Sequence, residues 1–152
     1  MVQVRKADAS DISTLLPLVA AYWDFESVSG FEVERVAVQL ERLLSEPTLG
    51  AGWIALVDNL PVGYLLAVYV FSLEHLGLTA EIDELFVVPS GRNAGAGSEL
   101  LKVAEAEFTQ IGCTNASLQL SLGNDAARQF YHRRGYEKRS GYELLDKMLL
   151  SG

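Results

Sequence analysis

The sequence is poor in cysteine and histidine, and each shortage excludes a kind of site. Cys113 is the only cysteine among 152 residues, so neither an internal disulfide nor a cysteine-rich metal site can form. Because His75 and His132 are the only histidines, a zinc site built from histidine is also disfavoured. We therefore expect no bound metal, and we expect Cys113 to be a small buried apolar residue and not a nucleophile.

Positive charge is scarce as well. The chain has 12 lysines and arginines against 20 aspartates and glutamates, a formal net charge of −8. Nucleic acid is therefore not expected as a partner, because binding it requires clustered cations. One local basic cluster departs from this balance and has two interpretations, a solvated helix end or a contact with an anionic cofactor. It consists of Arg128, Arg133, Arg134, Lys138 and Arg139.

Long apolar runs and linker-like segments are also missing. No stretch approaches the roughly 18 uninterrupted apolar residues of a membrane span, and residues 1–6 lack the apolar core of a signal peptide. No segment rich in proline, glycine and serine divides the chain. We expect a single domain over residues 1–152, a cytoplasmic location and no membrane association, with 49% hydrophobic residues supplying one core.

The most informative segment that is present is a glycine-rich turn between a strand-like run, residues 82–88, and a helix-like run, residues 98–110. Gly95 and Gly97 let the backbone approach an anion, which then meets the free N–H groups and positive dipole end of the helix. Arg92 adds a permanent charge and a fork of donors. The pattern is typical of a pyrophosphate cradle.

Two common phosphate motifs do not fit this turn. A P-loop requires lysine after its second glycine, whereas Gly97 is followed by Ser98 and Glu99. A dinucleotide fingerprint requires a third glycine where Leu100 stands, and an acidic residue at the end of the next strand, which is absent. A nicotinamide-dependent oxidoreductase is therefore disfavoured, and the remaining pattern is Arg-x-x-Gly-x-Gly at residues 92–97.

This pattern, which follows the hydrophobic residues 85–89, resembles the signature of the GCN5-related N-acetyltransferase (GNAT) superfamily, which binds the pyrophosphate of acetyl-CoA. Residues 124–136 are similar to the family's second motif, in which Asn, a small residue, Phe-Tyr and Gly-Tyr recur. Residues 2–7 resemble its opening strand, so the resemblance covers nearly the whole chain. Segments 82–87 and 130–135 look most like the polyamine (diamine) acetyltransferases. One departure is Asn93, where many members have glycine, although asparagine tolerates a left-handed backbone.

The resemblance implies acetyl-CoA as the cofactor and assigns contacts to it. In the family, the backbone of the preceding strand pairs with pantetheine, the turn holds the pyrophosphate, and a tyrosine in the second motif protonates the departing thiolate. Tyr131, which follows Phe130 in the second motif, matches that tyrosine. A phenol with a pKa of about 10 stays protonated at neutral pH and can donate its proton to a thiolate. Asn124 would form a hydrogen bond with pantetheine, cap a helix, or do both. The implied contacts are Phe86, Val87, Val88, Arg92, Asn93, Ala94, Gly95, Ala96, Gly97, Ser98, Asn124, Ala127, Phe130, Tyr131 and Arg133.

Three carboxylates precede the turn, and in the family one of this kind relays the proton of the attacking amine. By position, Asp83 matches the polyamine type and Glu81 the histone type. Strand alternation places Glu81 and Asp83 on one face and Glu84 on the other, unless a bulge resets the phase. The alternative is that all three are simply solvated acids of an acidic protein.

The acceptor-binding residues are expected in segment 21–26, between the first two predicted helices. Tyr22, Trp23 and Glu26 would suit an ammonium group through cation–π and charge contacts. Equally, the aromatic residues Tyr22, Trp23 and Phe25 would serve as packing anchors. Polyamines, amino sugars, other small amines, peptide N-termini and lysines all remain open as acceptors.

The coarse pattern predicts a mixed α/β fold of GNAT type, with a mostly antiparallel twisted sheet and about four helices. Helices are expected from a cap at Asp8 or Ser10 to about residue 21, and over 31–44, 98–110 and 125–134. Strands are expected over 2–7, 53–57, 62–70, 80–88, 116–120, 136–138 and 142–149.

The predicted function is an N-acetyltransferase in which a bound amine attacks acetyl-CoA directly, with a small cationic amine as acceptor. The alternatives are an acetyltransferase of a protein or peptide amine and a non-catalytic CoA-binding module. Homodimerisation through the last strands is a further expectation that the resemblance suggests.

Overall fold

The computed structural model describes residues 1–150. These residues form two compact units, one over residues 1–119 and one that begins at residue 120, and each is described by itself. Within residues 1–150, no helix is long and apolar enough to cross a membrane.

The first unit is a five-stranded sheet with three α-helices. Its strands lie in the order β1-β2-β3-β4-β5. The first three pairs are antiparallel and β4–β5 is parallel, which confirms the predicted mixed and mostly antiparallel sheet. In chain order the elements are β1 (Val2–Lys6), α1 (Ile12–Phe25), α2 (Val33–Ser45), β2 (Gly50–Val57), β3 (Leu60–Ser72), β4 (Gly77–Val87), α3 (Ala96–Gln110) and β5 (Ala116–Leu118).

A capping box fixes the short 3-10 helix, Ala9–Asp11, that leads into α1. The Asp8 side chain accepts a hydrogen bond from the backbone N–H of Ser10, while the Asp11 side chain accepts from the backbone N–H of Asp8. Arg5 of β1 pairs with both oxygens of Asp11 at 2.7 and 2.9 Å, and it lowers the pKa of that carboxyl. This contact ties the first strand to the first helix.

Helix α1 ends at Phe25, four residues beyond the predicted end. Tyr22, Trp23 and Phe25 therefore lie on a helix and not in the loop that the sequence predicted. The reason is tertiary packing, because Tyr22 and Trp23 pack against the sheet core and such contacts override local propensity.

The sheet is covered on both faces. Strand alternation sends neighbouring residues of β2 to opposite sides, so Ile54 packs under α1 and α2 while Trp53 meets Phe108 of α3 at 5.8 Å between ring centroids. The core beneath α1 and α2 contains the buried residues Ala7, Leu15, Leu18, Val19, Leu40, Ile54, Tyr64, Leu66 and Phe86.

The second unit contains α4 (Asp125–His132), close to the predicted helix. The predicted strands over 136–138 and 142–149 are wrong, because no residue from 136 to 150 is in a strand. The apolar residues that suggested these strands are 71–84% exposed instead of packed in a core; they are Tyr142, Leu144, Leu145, Met148, Leu149 and Leu150. An alternating apolar pattern indicates a strand only where a neighbouring strand is available to pair with it.

Candidate active site

The glycine-rich turn begins as a short 3-10 helix, Pro89–Ala94, and leads directly into α3. Gly95 is the N-cap residue of α3, with a left-handed φ of 82°, and no side chain among the described residues caps the helix there. The first N–H groups of α3 therefore have neither an intrahelical partner nor a capping side chain. This arrangement fits an anion such as a pyrophosphate.

Asn93, the one departure from the family's glycine pattern, needs no left-handed conformation. It belongs to the 3-10 helix, and Gly95 takes the left-handed position instead. Gly91 is required for a different reason. A Cβ at this position would lie 2.7 Å from the Cβ of Val62 on β3, so the turn packs closely against the sheet.

Arg92 is anchored at the base of the turn. Its Nε donates to the Val87 carbonyl at 2.9 Å, and its guanidinium carbon lies 5.4 Å from the ring centroid of Phe25 and 5.8 Å from that of Phe86. These contacts connect the turn to α1 and β4 through cation–π attraction. The phosphate contact expected of Arg92 stays a prediction.

Strand β4 has an open edge beyond its pairing with β5. The last paired residue on that side is Ile82, and within residues 1–119 no strand accompanies β4 from there to Val87. On the other side the Val88 N–H donates to the Val62 carbonyl at 2.8 Å. Antiparallel alternation then directs the backbone groups of Leu85 and Val87 to the open edge, while Phe86 and Val88 pair with β3. Leu85, which the sequence did not indicate, is identified by this register alone.

A β-bulge resets the phase of the three carboxylates. Leu66 is paired with Glu84 and the next residue, Ala67, with Ile82, so Asp83 is the extra residue of the bulge. Since Val68 is paired with Glu81, Glu81 and Glu84 share the face on which α1 and α2 pack. The arrangement expected from regular strand alternation, with Glu81 and Asp83 on one face and Glu84 on the other, is therefore wrong.

The half-buried Glu84 carboxylate is held by two donors from different elements. Trp23 Nε1 of α1 donates to Oε2 at 2.9 Å, and the Tyr64 hydroxyl of β3 donates to Oε1 at 2.7 Å. Burial raises the pKa of Glu84, the two hydrogen bonds oppose that rise, and Asp83 adds to it. Among residues 1–150, no cation is within ion-pair distance of this carboxylate.

Asp83 differs from Glu84 in its surroundings. Its side chain reaches the surface, yet neighbouring protein atoms desolvate its carboxylate and raise its pKa. Glu81 lies before the bulge, between Val68 of β3 and Ser117 of β5. The structure thus brings Asp83 and Glu84 together at the open part of β4 and leaves Glu81 further back along the strand.

Aromatic rings surround the Glu84 carboxylate. The Tyr22 ring lies 5.8 Å from Phe86 and 6.4 Å from Tyr64, and Trp23 packs edge-on against Phe31 at 5.5 Å. Burial, followed by the charges of Glu26, Glu84 and Asp83, raises the pKa of Tyr22 to about 12. Tyr22 and Trp23 are therefore packing residues that also line a carboxylate, so the two interpretations of segment 21–26 are compatible.

In the second unit, α4 gathers the residues of the other motif. Asn124 caps the helix by accepting from the Ala127 N–H at 3.1 Å, and Arg133 is its C-cap residue. Tyr131 is buried, with its ring 5.1 Å from Phe130 and 5.6 Å from Tyr136. The capping role of Asn124 is confirmed, whereas the cofactor contacts of this segment stay predictions.

Comparison with known proteins identifies the class of protein to which the chain belongs. The model of the acetyltransferase (GNAT) family matches residues 16–136, and the chain belongs to this family. It is an acetyltransferase enzyme with acetyl-CoA as its cofactor.

Individual relatives agree with this assignment. The chain is 29% identical over 139 residues to an uncharacterized N-acetyltransferase, YhfO, of Bacillus subtilis (strain 168). This alignment covers 91% of this chain and 92% of the relative. It is 35% identical over 85 residues to the aminoalkylphosphonate N-acetyltransferase of Salmonella typhimurium (strain LT2), covering 56% and 55%. The fold matches that of the aminoglycoside N-acetyltransferase AAC(6')-Iy in complex with CoA, with a TM-score of 0.83, 18% identity and coverage of 97% and 95%.

Proposed function

We propose that the protein acetylates the primary amine of a small cationic molecule, which attacks acetyl-CoA directly while both substrates are bound. The observation that carries this proposal is the Glu84 carboxylate, half-buried and held by two neutral donors, with no cation partner among residues 1–150. A partly desolvated carboxylate is stabilised by a cation that approaches it closely. The acceptor's ammonium group would be that cation.

The surroundings of Glu84 favour a cation over other ligands. Asp83 adds a second negative charge beside it, and Tyr22 and Trp23, both only partly buried, would attract an ammonium group that reaches their rings. The similarity to an aminoalkylphosphonate N-acetyltransferase also supports a small-molecule amine.

The donor is expected at the open edge of β4 and the start of α3. Gly95 and the first N–H groups of α3 would hold the pyrophosphate, and the backbone of Leu85 and the N–H of Val87 would pair with pantetheine. Acetyl-CoA supplies the thioester carbonyl that the amine attacks. The residues of the chain align the two reactants, which itself lowers the barrier.

Proton transfer is assigned to two groups. Asp83, whose pKa is raised by desolvation, would accept the proton of the amine, because a base with a pKa nearer neutrality accepts a proton more readily. Glu84 would hold the ammonium group before that step, and Glu81 is the least favoured of the three. Tyr131 would donate a proton to the departing thiolate, as the family resemblance suggests.

The test is release of free thiol from acetyl-CoA across a panel of amines, with hydrolysis in the absence of acceptor subtracted. The panel spans spermidine, short diamines, aminoglycosides, aminoalkylphosphonates, amino acids and peptide amines. Turnover with a di- or polyamine supports the proposal, and turnover with peptide amines alone favours a protein acceptor. Calorimetric CoA binding without turnover on any amine would favour the non-catalytic module.

Homodimerisation and the cytoplasmic location stay predictions. Large apolar side chains are exposed over residues 142–150, and they support the first prediction, because exposed apolar residues that lie near one another are typical of a protein interface.

A further inference from the structure

Tyr64 lies beneath the acceptor side of the sheet, and no sequence pattern marks it as functional. It has 0% relative exposure on β3, and its hydroxyl donates to Glu84 Oε1 at 2.7 Å. A buried tyrosine hydroxyl needs a hydrogen-bond partner, and here that partner is the carboxylate proposed to anchor the substrate. The side chain is therefore connected to the site without being part of its surface.

The Glu84 carboxylate is held from two directions. Tyr64 on β3 donates to one oxygen and Trp23 on α1 donates to the other. Two donors on separate oxygens fix the plane of the carboxylate, whereas a single donor would leave it free to rotate. Both hydrogen bonds also favour the ionised carboxylate, because they lower a pKa that burial raises.

We propose that Tyr64 is a positioning residue for acetyl transfer, whose hydroxyl acts through Glu84 to hold that carboxylate in the orientation that anchors the acceptor's ammonium group. This inference rests on the proposed function. Tyr64 does not touch the acceptor or the cofactor in this scheme. Its contribution is to keep Glu84 charged and aligned before the substrate arrives.

The other titratable groups around Glu84 do not replace this contribution. Asp83 on β4 opposes ionisation of Glu84, and Glu26 after α1 acts on Tyr22. Tyr22 on α1 has its pKa raised to about 12 and stays neutral near pH 7. Arg92 stacks on Phe25 and Phe86 and makes no ion pair with Glu84. Tyr64 and Trp23 are therefore the neighbours that favour the charged form.

The experiment compares Tyr64→Phe with Tyr69→Phe. Both tyrosines lie on β3 and both variants lose one hydroxyl, but Tyr69 packs against Phe108 and not against Glu84. We expect Tyr64→Phe to raise KM for the amine about tenfold, the usual scale for a hydrogen bond to a charged group. We also expect the acidic limb of its kcat/KM profile, which reports the free enzyme, to move to higher pH, because one of the two hydrogen bonds that lower the pKa of Glu84 is lost. Tyr69→Phe should change neither.

A double-mutant cycle separates action through Glu84 from a general packing effect. In a Glu84→Gln background, Tyr64→Phe should cause little further rise in KM, because the charge on which it acts is gone. Fully additive effects, or an unmoved acidic limb in Tyr64→Phe, would overturn the inference. Absence of turnover in the unaltered protein would instead refute the proposed function.

Fluorotyrosine at position 64 keeps the test decisive if Tyr64→Phe does not fold. Fluorination retains the ring and the hydroxyl and makes the phenol a stronger donor. We expect the acidic limb of this variant to move to lower pH, opposite to Tyr64→Phe. An unchanged limb would count against the role of Tyr64.

Discussion

The phosphate cradle can be tested at Gly95 with a control at the other end of the same helix. Gly95 precedes α3 with a φ of 82°, and Gly112 follows it with a φ of 93°. A Cβ added at either glycine would meet no heavy atom of the described residues within 4 Å, outside its immediate chain neighbours. Alanine at either position is therefore strained in its backbone but not crowded.

The backbone conformation of these glycines sets the expected loss of stability in the alanine variants. An L-residue in the left-handed conformation costs roughly 1–2 kcal/mol, and no steric term is added at either site. Gly95→Ala and Gly112→Ala should therefore lower the free energy of unfolding by similar amounts, measured by chemical denaturation. Gly95→Asn should lower it less, since asparagine tolerates this conformation better.

Affinity for CoA should separate the two variants. Relief of the strain at Gly95 turns the first N–H groups of α3 away from the pyrophosphate, and lost hydrogen bonds to a charged group weaken binding by about tenfold or more. Calorimetry should show this loss for Gly95→Ala and unchanged affinity for Gly112→Ala. Equal affinities, or equal losses, would refute the assignment of the cradle to the start of α3.

Three further predictions concern the chemistry and the assembly. Tyr131→Phe should lower kcat while CoA affinity, measured by calorimetry, stays nearly intact; an equal loss of both would move Tyr131 from proton donation to binding. Because the pKa of Asp83 is raised, kcat should climb with pH as that carboxylate loses its proton, over a range above the ordinary carboxyl pKa. Glu84 would stay charged in the bound complex, where it is paired with the ammonium group, so Asp83→Asn should abolish the acidic limb of the kcat profile; a kcat limb that persists would exclude Asp83 as the base. If residues 142–150 form a dimer interface, Leu145→Asp combined with Leu149→Asp should give monomers in sedimentation analysis, whereas a monomeric unaltered protein would remove the dimer prediction.

The local features of this fold were predictable from the sequence. The glycine-rich turn, the helix after it and the Asn124 cap depend on residues within one turn of each other, so short motifs contain the information. The end of α1 was not predictable. It depends on whether Tyr22 and Trp23 find a sheet to pack against, which is a contact across the fold.

The carboxylates of β4 show most clearly what the sequence alone cannot predict. Their order along the chain allowed two arrangements of the three acids on the faces of the strand, and the choice between these arrangements depends on one bulge residue, Asp83. That bulge is a property of the register between β3 and β4, and it decides that Glu84 faces Trp23 and Tyr64. A carboxylate's distance from the glycine-rich turn in sequence is therefore insufficient to assign its role, because a register shift of one residue moves a different acid to the face that α1 covers.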